Sequence, residues 1–360
     1  MTGSAAVVGA GIAGRLLALK LKRAGYAVTI FDKECADSLA ACSFAAAGLL
    51  TPLSEGGASC EPLMVRLGQR SLPLWQQCLP TLPLPVDLGV NGSLIVAHAP
   101  DAATLHERFT RICRRFPAAS CEWVDGQRLV QLEPVLQESG FQAGIYLPGE
   151  GYIQSHAAMR ALQLAHTNEG VTAHYSTEVV QLTPNRVVTA QQTWSFDCVF
   201  DCRGFGARAD LPSLRGVRGE LIEVHAPEVK LTLPLQLMHQ RYPIYIVPRG
   251  DDIYAVGATC VESESLGPVT VKAALELLNA VYQVHAGFRF AAIHRLVANC
   301  RPAFADNLPQ VDCQPGLWRI NGLYRHGFLL APVVVDLIMR RLAGHTLSAD
   351  EQALFLQGAS

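Results

Sequence analysis

Near its start, the 360-residue chain reads Gly9-Ala10-Gly11-Ile12-Ala13-Gly14, which fits the pattern G-x-G-x-x-G. The motif lies between a predicted buried strand at residues 4–9 and a predicted helix at residues 12–24. In that context the first glycine allows a tight turn, the second lets the backbone approach a pyrophosphate, and the third lets the helix pack on the sheet. Asp32 ends a second predicted strand 18 residues after Gly14, where its carboxylate can accept a hydrogen bond from a ribose hydroxyl. The motif therefore predicts a βαβ unit that binds a dinucleotide, without distinguishing FAD from NAD.

The composition is that of a folded protein with a large core. Hydrophobic residues make up 50% of the chain and charged residues 17%, which excludes a disordered chain. Because 29 Lys and Arg face 31 Asp and Glu, the formal net charge is -2, and it gives no electrostatic footprint for a nucleic acid. The apolar N-terminal stretch lacks the basic residues of a signal peptide, and no apolar run is long enough to predict a transmembrane helix.

The eleven cysteines are scattered, are odd in number and contain no C-x-x-C pair. This pattern argues against a zinc cluster or a disulfide framework. It favours free thiols in a protein of the reducing cytoplasm. The eleven histidines are scattered as well, so no metal site is expected.

The order of the predicted elements indicates an α/β protein with two domains. Residues 80–87 are proline-rich and cannot continue a helix, so we place a crossing between the domains there. Helices are predicted over residues 61–79, 101–116, 155–168 (with Ser155 as N-cap), 270–285 and 331–343. Strands are predicted over residues 93–98, within residues 171–200, and in one antiparallel sheet over residues 219–225, 244–248 and 253–258. We predict a Rossmann-type cofactor-binding domain formed by residues 1–85, 146–215 and 295–360, with an inserted antiparallel-sheet substrate domain formed by residues 86–145 and 216–294.

Two further segments resemble those of the glycine oxidase and D-amino acid oxidase superfamily of flavoproteins. Residues 40–52, AACSFAAAGLLTP, resemble the small-residue loop that follows the second strand in that family. Residues 321–332, NGLYRHGFLLAP, resemble its closing motif, in which backbone N–H groups at a helix start lie beside the isoalloxazine ring. Such donors would stabilise negative charge at the N1/O2 edge of a reduced flavin. The resemblance implies that the Rossmann-type domain binds FAD.

The motif and the resemblance together assign a set of residues to FAD. They are Gly9, Gly11, Ile12, Ala13, Gly14, Asp32, Lys33, Ser43, Ala45, Ala46, Ala47, Gly48, Val179, Cys202, Gly204, Arg325, His326, Gly327, Phe328, Leu329 and Leu330. The Cys202-Arg203 pair departs from the Ala-Ala-Gly type of turn that is usual in the family. Some relatives attach FAD covalently through a Cys near Arg301 or a His in the small-residue loop. This chain has Ala303 and Phe304 near Arg301 and Phe44 in that loop, so non-covalent FAD is expected.

The resemblance also implies a substrate site. Residues 301–309 resemble the family segment R-P-x-x-x-D-x-L-P, in which the arginine binds the α-carboxylate of the substrate through two parallel N–H donors. The alternative is that Arg301 pairs with Asp306. Tyr245 begins a strand Y-I-V-P-R whose tyrosine also reaches the carboxylate in glycine oxidases, the alternative being core packing. Arg325 matches an arginine near the flavin, the alternative being a surface arginine, and Cys260 stands at a pocket-wall position where glycine oxidases can carry Met. We therefore expect Arg301, Tyr245 and Arg325 to be the catalytic residues.

The implied reaction is oxidation of the C–N bond of a small amino acid, glycine, sarcosine or a D-amino acid, by hydride transfer to FAD. Either O2 or another acceptor would reoxidise the flavin, and the scheme requires no dedicated general base.

Three other functions stay open. The first is that of a stand-alone relative of the FAD domain of the tRNA carboxymethylaminomethyl-uridine oxidoreductase. A tRNA substrate would need a basic face, and the one candidate is the run Arg108, Arg111, Arg114 and Arg115, which also suits a solvated helix. The second is a quinone-linked D-amino acid dehydrogenase, and the third is a non-catalytic flavin-binding subunit. The expected partner is a small amino acid, no nucleic acid or integral membrane segment is expected, and a homo-oligomer is left open.

Overall fold

The computed structural model describes residues 3–59, 62–238 and 242–356, so residue 61, the first of one predicted helix, lies outside the described residues. The α-helices are α1 (Ile12–Arg23), α2 (Pro52–Ser59), α3 (Pro62–Cys78), α4 (Ala102–Arg115), α5 (Gly126–Leu132), α6 (Ser155–Glu169), α7 (Val271–Tyr282), α8 (Gly327–Leu342) and α9 (Ala349–Gln352). The strands are β1 (Ser4–Val8), β2 (Ala27–Phe31), β3 (Leu49–Leu50), β4 (Leu88–Gly89), β5 (Ser93–Ala97), β6 (Glu122–Asp125), β7 (Ala143–Leu147), β8 (Gly151–Ile153), β9 (Thr172–His174), β10 (Val179–Thr183), β11 (Arg186–Thr189), β12 (Thr193–Ser195), β13 (Cys198–Asp201), β14 (Arg215–His225), β15 (Leu235–Leu237), β16 (Ile244–Pro248), β17 (Ile253–Gly257), β18 (Val261–Glu262), β19 (Ala292–Ala303), β20 (Gln310–Gln314), β21 (Leu317–Asn321) and β22 (Phe355–Leu356).

The N-terminal βαβ unit forms the centre of a seven-stranded sheet with the order β22-β20-β21-β13-β1-β2-β9. Strand β1 pairs in parallel with β2 on one side and with β13 on the other. Helix α1 packs between α6 and α8, and most of its residues are buried. At Gly14 a Cβ would lie 1.9 Å from the carbonyl oxygen of Gly9, so the close start of α1 on the sheet requires glycine. The predicted Rossmann-type α/β fold is confirmed.

A nine-stranded sheet forms the second unit, with the order β18-β14-β17-β16-β15-β5-β7-β6 and with β19 paired to β14. The predicted antiparallel strands are β14, β16 and β17 of this sheet. Helix α7 packs on one face, while the other face carries Tyr245 and Val247 and turns toward the small-residue loop at Ala47. Strand β19 runs across the domain boundary predicted between residues 294 and 295, so Arg301 belongs to this sheet.

The structure differs from the predicted elements at three places near the candidate site. The helix predicted over residues 61–79 is α3, and a short helix, α2, which the sequence did not predict, precedes it. Ser155 is the first residue of α6 rather than its N-cap, and its hydroxyl donates to the carbonyl of Ala46 at 3.0 Å. Helix α8 starts at residue 327 rather than 331 and contains Pro332. Because Pro332 has no N–H, the carbonyl of Phe328 is free to accept the indole N–H of Trp75 at 2.8 Å.

The ten cysteines within the described ranges are free thiols. No helix in the same ranges is both long enough and apolar enough to cross a membrane.

Candidate active site

The glycine motif forms an open turn at the start of α1. Gly9 has φ +104°, and a Cβ there would lie 2.5 Å from the carbonyl oxygen of Cys202 at the end of β13. A Cβ on Gly11, by contrast, would find only the hydroxyl of Ser43 nearby, at 3.5 Å. That hydroxyl accepts the N–H of Ile12 at 2.9 Å. Gly11 therefore leaves room at the positive end of a helix, as a pyrophosphate requires.

Asp32, the acidic residue of the motif, is hydrogen-bonded to the same turn. The Asp32 carboxylate accepts the N–H of Ala10 at 2.5 Å and that of Glu34 at 2.9 Å. These bonds place the carboxylate at the carboxyl end of β2, directly beside the glycine turn, as a ribose partner requires. Lys33 is exposed, and Val179 is buried in the same cluster as Val8.

The turn after β13 contributes the next predicted segment. The N–H of Cys202 donates to the carbonyl of Val8 at 2.7 Å, and the carbonyl of Gly204 accepts from the Asn321 side chain at 2.9 Å. Arg203, which departs from the family pattern, forms ion pairs with Asp201 and Asp210 instead. Cys202 and Gly204 therefore lie beside the glycine motif, while the Arg203 side chain stabilises the turn.

The small-residue loop is held by arginines of the nine-stranded sheet. Arg249 donates to the carbonyl of Ala46 at 2.7 Å, and Arg295 donates to the carbonyl of Phe44 at 3.2 Å. Both guanidiniums also lie near the Glu223 carboxylate, at 3.5 Å and 3.7 Å. Burial lowers the pKa of Arg249 to about 10, so it remains charged at neutral pH. The loop that carries Ser43, Ala45, Ala46, Ala47 and Gly48 is therefore fixed between the two units.

The closing motif meets the first motif at the start of α8. A Cβ on Gly327 would lie 3.6 Å from the side chain of Ile12. His326 occupies the N-cap position of α8, and its buried Nδ1 has no hydrogen-bond partner within the described ranges. Ala13, Phe328, Leu329 and Leu330 have buried side chains. These four residues can therefore offer a cofactor mainly their backbone atoms. Two segments from opposite ends of the chain thus form one cradle, and its open glycine turn and free helix end fit FAD.

Arg301 lies near the end of β19. Its Nη1 donates to the carbonyl of Thr259 at 3.0 Å, and a Cβ on Gly219 would lie 2.2 Å from its Nη2. Among the described residues no carboxylate lies within ion-pair distance of Arg301. Asp306 is exposed and accepts the N–H of Leu308 at 3.0 Å, so the alternative of an Arg301–Asp306 pair is wrong. Burial, and then the like charge of Arg325, lower the pKa of Arg301.

A carboxylate that the sequence did not reveal joins the other two predicted residues. Glu55, on α2, accepts a hydrogen bond from the hydroxyl of Tyr245 and lies 3.3 Å from Nη2 of Arg325. Its second oxygen lies 3.2 Å from Nε2 of His326. Arg325 is mostly buried, with 17% of its side chain exposed, so it is not a surface arginine. The structure therefore places Tyr245, Arg325 and His326 around Glu55, and Arg301 lies near enough to Arg325 for their like charges to interact.

The charges of this cluster are strongly coupled. Burial alone would raise the pKa of Glu55, but Arg325 and His326 lower it well below its ordinary value. Burial and the Glu55 carboxylate raise the pKa of Tyr245, while Glu55 outweighs burial and raises the pKa of Arg325. Glu55 and Arg325 are therefore ionised, and Tyr245 is a neutral hydrogen-bond donor, throughout the physiological range.

Arg108 also differs from its predicted setting. It was expected on a solvated basic face, but it is only 5% exposed, and its Nη2 donates to the carbonyl of Ser54 and to the Gln236 side chain. Leu105, Arg108 and Ile112 form the buried stripe of α4, so their helical spacing is the signal that could have identified this residue. No comparable signal marks Glu55, which is 270 residues from Arg325.

The predicted pocket-wall residue contacts an aromatic side chain. The thiol of Cys260 lies 3.2 Å from the hydroxyl of Tyr324, and Tyr324 has a positive φ of 50°. The N–H of Tyr324 donates to the carbonyl of Pro302, next to Arg301. Cys260 and Tyr324 therefore contact each other close to the segment that carries Arg301.

A glycine turn that fits a dinucleotide, together with the arginines and tyrosine near Glu55, is the arrangement expected of an oxidoreductase of the flavoprotein class. Residues 4–341 match the model of the FAD dependent oxidoreductase family (DAO), and the chain belongs to that family. It is 36% identical over 336 residues to the ThiO oxidoreductase of Rhizobium etli, whose name places it in thiamine biosynthesis, with 93% of this chain and 95% of the relative covered. It is 26% identical over 360 residues to the glycine oxidase of Geobacillus kaustophilus, covering 93% of each. The crystal structure of glycine oxidase from that organism superimposes with a TM-score of 0.86 at 24% identity, covering 100% of this chain and 99% of the other. The protein is thus an FAD-dependent oxidoreductase of the glycine oxidase and ThiO type.

Proposed function

We propose that the protein oxidises the C–N bond of a small amino acid, with glycine the first candidate and sarcosine and small D-amino acids next. The observation that carries this proposal is the partly buried guanidinium of Arg301, which donates to one backbone carbonyl and has no carboxylate partner among the described residues. A substrate carboxylate that covered this guanidinium would supply the anionic partner that it lacks. A guanidinium suits this role because it offers parallel donors and stays charged.

The charges of the pocket favour a substrate with one carboxylate. Arg325 already has an anionic partner in Glu55, so these two charges offset each other. Arg301 is then left to bind one further negative charge. Tyr245 donates its single hydroxyl hydrogen to Glu55. A substrate carboxylate would therefore have to compete with Glu55 for Tyr245, and Arg301 is the primary anchor in this proposal.

The residues of the chain orient the substrate rather than exchange protons with it. FAD, when bound, supplies the acceptor for a hydride from the substrate Cα. Fixing a carboxylate on Arg301 would hold the neighbouring Cα–H bond in one direction, and such orientation supplies roughly 7–11 kcal/mol in the best cases. Glu55 is a poor proton acceptor because its pKa lies well below the ordinary value. The proposal therefore assigns binding to Arg301, charge balance to Glu55 and Arg325, and a general base to none of them.

The comparisons support the choice of substrate and setting. Similar proteins include a glycine oxidase and a ThiO oxidoreductase named for thiamine biosynthesis. We extend from them the proposal that glycine is oxidised and that the product serves thiamine biosynthesis. Free cysteines support a reducing compartment such as the cytoplasm. Non-covalent FAD is part of the same proposal, since Phe44 and Phe304, which replace attachment residues, have buried side chains.

The alternative of a tRNA substrate has less support. The basic run on α4 was its candidate contact surface, and Arg108, the first arginine of that run, is buried beneath α2. No feature of the described residues favours a quinone-linked dehydrogenase over an oxidase.

The test is anaerobic reduction of the bound flavin by a panel of candidate substrates. We expect glycine or sarcosine to bleach the flavin absorbance. D-alanine and D-proline test how bleaching depends on the size of the amino acid, and a carboxymethylaminomethyl-uridine nucleoside tests the alternative of a tRNA substrate. Hydrogen peroxide formed on admitting air would identify an oxidase. Bleaching by the modified nucleoside alone, or by none of the amino acids, would contradict the proposal.

A further inference from the structure

A second buried carboxylate lies directly behind the pocket. Glu150 lies in the turn between β7 and β8, and its relative exposure is 0%. Its carboxylate accepts the N–H of Leu53 at 2.5 Å, the N–H of Ser54 at 2.8 Å and the hydroxyl of Ser93 at 2.5 Å, as well as the hydroxyl of Ser54. No arginine or lysine forms an ion pair with Glu150 within the described ranges.

These bonds fix the first turn of α2, the helix that carries Glu55. Helix α2 starts at Pro52, so the N–H groups of Leu53 and Ser54 belong to its first turn and have no acceptor within the helix. Glu150 supplies that acceptor, and above its raised pKa of about 7 it also places a negative charge at the positive end of the helix. Arg108 holds the same turn from the other side through the carbonyl of Ser54. The residue after Ser54 is Glu55, so the position of its carboxylate follows from the position of this turn.

We propose that Glu150 is a positioning residue that holds α2 so that Glu55 stays on Tyr245 and Arg325, which restricts the pocket to ligands with one carboxylate. The inference rests on the pocket of the proposed function. In Glu150→Gln one of the two acceptor oxygens becomes an NH2 donor, so the first turn of α2 is held less firmly, and Glu55 leaves Arg325 and Tyr245. Two cations, Arg301 and Arg325, are then available to an incoming anion. The affinity for a ligand with two carboxylates then increases, because each carboxylate can bind one arginine. The affinity for a ligand with one carboxylate changes little.

The chain offers a matched control for a merely structural role. Glu133 is also 0% exposed, and its carboxylate accepts the N–H of Thr232 at 2.9 Å, the N–H of Leu233 at 2.8 Å and the hydroxyl of Thr232 at 3.0 Å. It therefore caps backbone donors as Glu150 does, without contact to α2. Glu133→Gln and Glu150→Gln remove the same charge from the same kind of environment.

The first experiment measures hydrogen exchange of the FAD-loaded protein by mass spectrometry and needs no ligand. We expect Glu150→Gln to speed exchange of the amides of residues 53–59 by roughly tenfold above about pH 7, the loss expected for charged hydrogen bonds to a helix end. Glu133→Gln should leave that segment unchanged and speed exchange near Thr232 instead. Unchanged exchange of residues 53–59 in Glu150→Gln would overturn the proposal, whatever the substrate proves to be.

The second experiment measures specificity by titrating the flavin absorbance with acetate and with malonate. We expect Glu150→Gln and Glu55→Gln each to increase the affinity for malonate, relative to the affinity for acetate, by roughly tenfold. This is the gain expected from one newly available cation. In the Glu55→Gln background, Glu150→Gln should add nothing, because it acts through Glu55. The positioning role would be overturned if Glu150→Gln changed the ratio of malonate to acetate affinity equally in the wild type and in Glu55→Gln. It would also be overturned if Glu133→Gln changed that ratio as much as Glu150→Gln does. If even the wild type bound neither anion, the proposed function would fail, and the exchange experiment would still decide the role of Glu150.

Discussion

Replacing Arg301 with Met tests the carboxylate anchor most directly. The substitution keeps an unbranched apolar stem about as long as the methylene chain of arginine and removes the guanidinium that rests on Gly219. Removing one partner of a buried, hydrogen-bonded charge pair costs about 2–5 kcal/mol of binding free energy. At about 1.4 kcal/mol per tenfold, the dissociation constant for glycine or acetate should rise roughly 30- to 4,000-fold. Arg301→Lys keeps the charge but loses the parallel donors, so its effect should be intermediate.

The free protein should tolerate this change. Arg301→Met loses one hydrogen bond to the carbonyl of Thr259 but also removes a partly buried cation that lies near the like charge of Arg325. These two effects oppose each other, so we expect FAD retention and a thermal midpoint close to that of the wild type. A variant that loses ligand binding but keeps its flavin would separate binding from folding.

Arg218→Lys is the matched control, since Arg218 is buried on β14 and pairs in register with Cys300, the neighbour of Arg301. Its guanidinium already has a carboxylate partner, Glu220, at 2.7 Å. Arg218→Lys should therefore lower the thermal midpoint and leave the ligand dissociation constant within about twofold. The assay is titration of flavin absorbance with glycine under anaerobic conditions. A folded, flavin-loaded Arg301→Met protein that binds and oxidises glycine as the wild type does would refute the reasoning.

Three further predictions concern the cradle and the buried carboxylate behind the pocket. Arg249→Met removes the donor to the carbonyl of Ala46, so the dissociation constant of FAD, measured by flavin fluorescence on dilution, should rise at least about tenfold. An unchanged dissociation constant would mean that the contact between Arg249 and the small-residue loop does not shape the cofactor site. Gly14→Ala places a methyl group 1.9 Å from a backbone oxygen, and the purified variant should lack flavin or fail to fold; a normal FAD content would contradict the tight turn. Because burial raises the pKa of Glu150 to about 7 from its ordinary 4.5, the folded state binds this proton more tightly than the unfolded state. Its contribution to stability is therefore full below about pH 4.5 and is lost as the pH rises through about 7, so the stability of the wild type relative to Glu150→Gln should fall over that interval in denaturant titrations. A constant difference would argue against the raised pKa.

The sequence by itself predicted the parts of this protein that depend on near neighbours. Gly9, Gly14 and Asp32 lie within one βαβ unit, where strand, turn and helix follow each other along the chain, so pattern and spacing specify their geometry. The sheet strands around Tyr245 were likewise predicted from local apolar runs. Resemblance to a family supplied Arg301 and Arg325, whose roles no local rule would have revealed.

Only the tertiary structure decided which charges share the pocket. Glu55 lies on a helix with two glycines, a composition of low helix propensity, and it meets Arg325 across 270 residues of chain. Arg108 and Glu150 each look like ordinary polar residues until packing buries them against the first turn of α2. Burial and long-range contact set the charge state and partner of such groups. These properties arise only when segments distant in the chain pack together, so local sequence does not encode them.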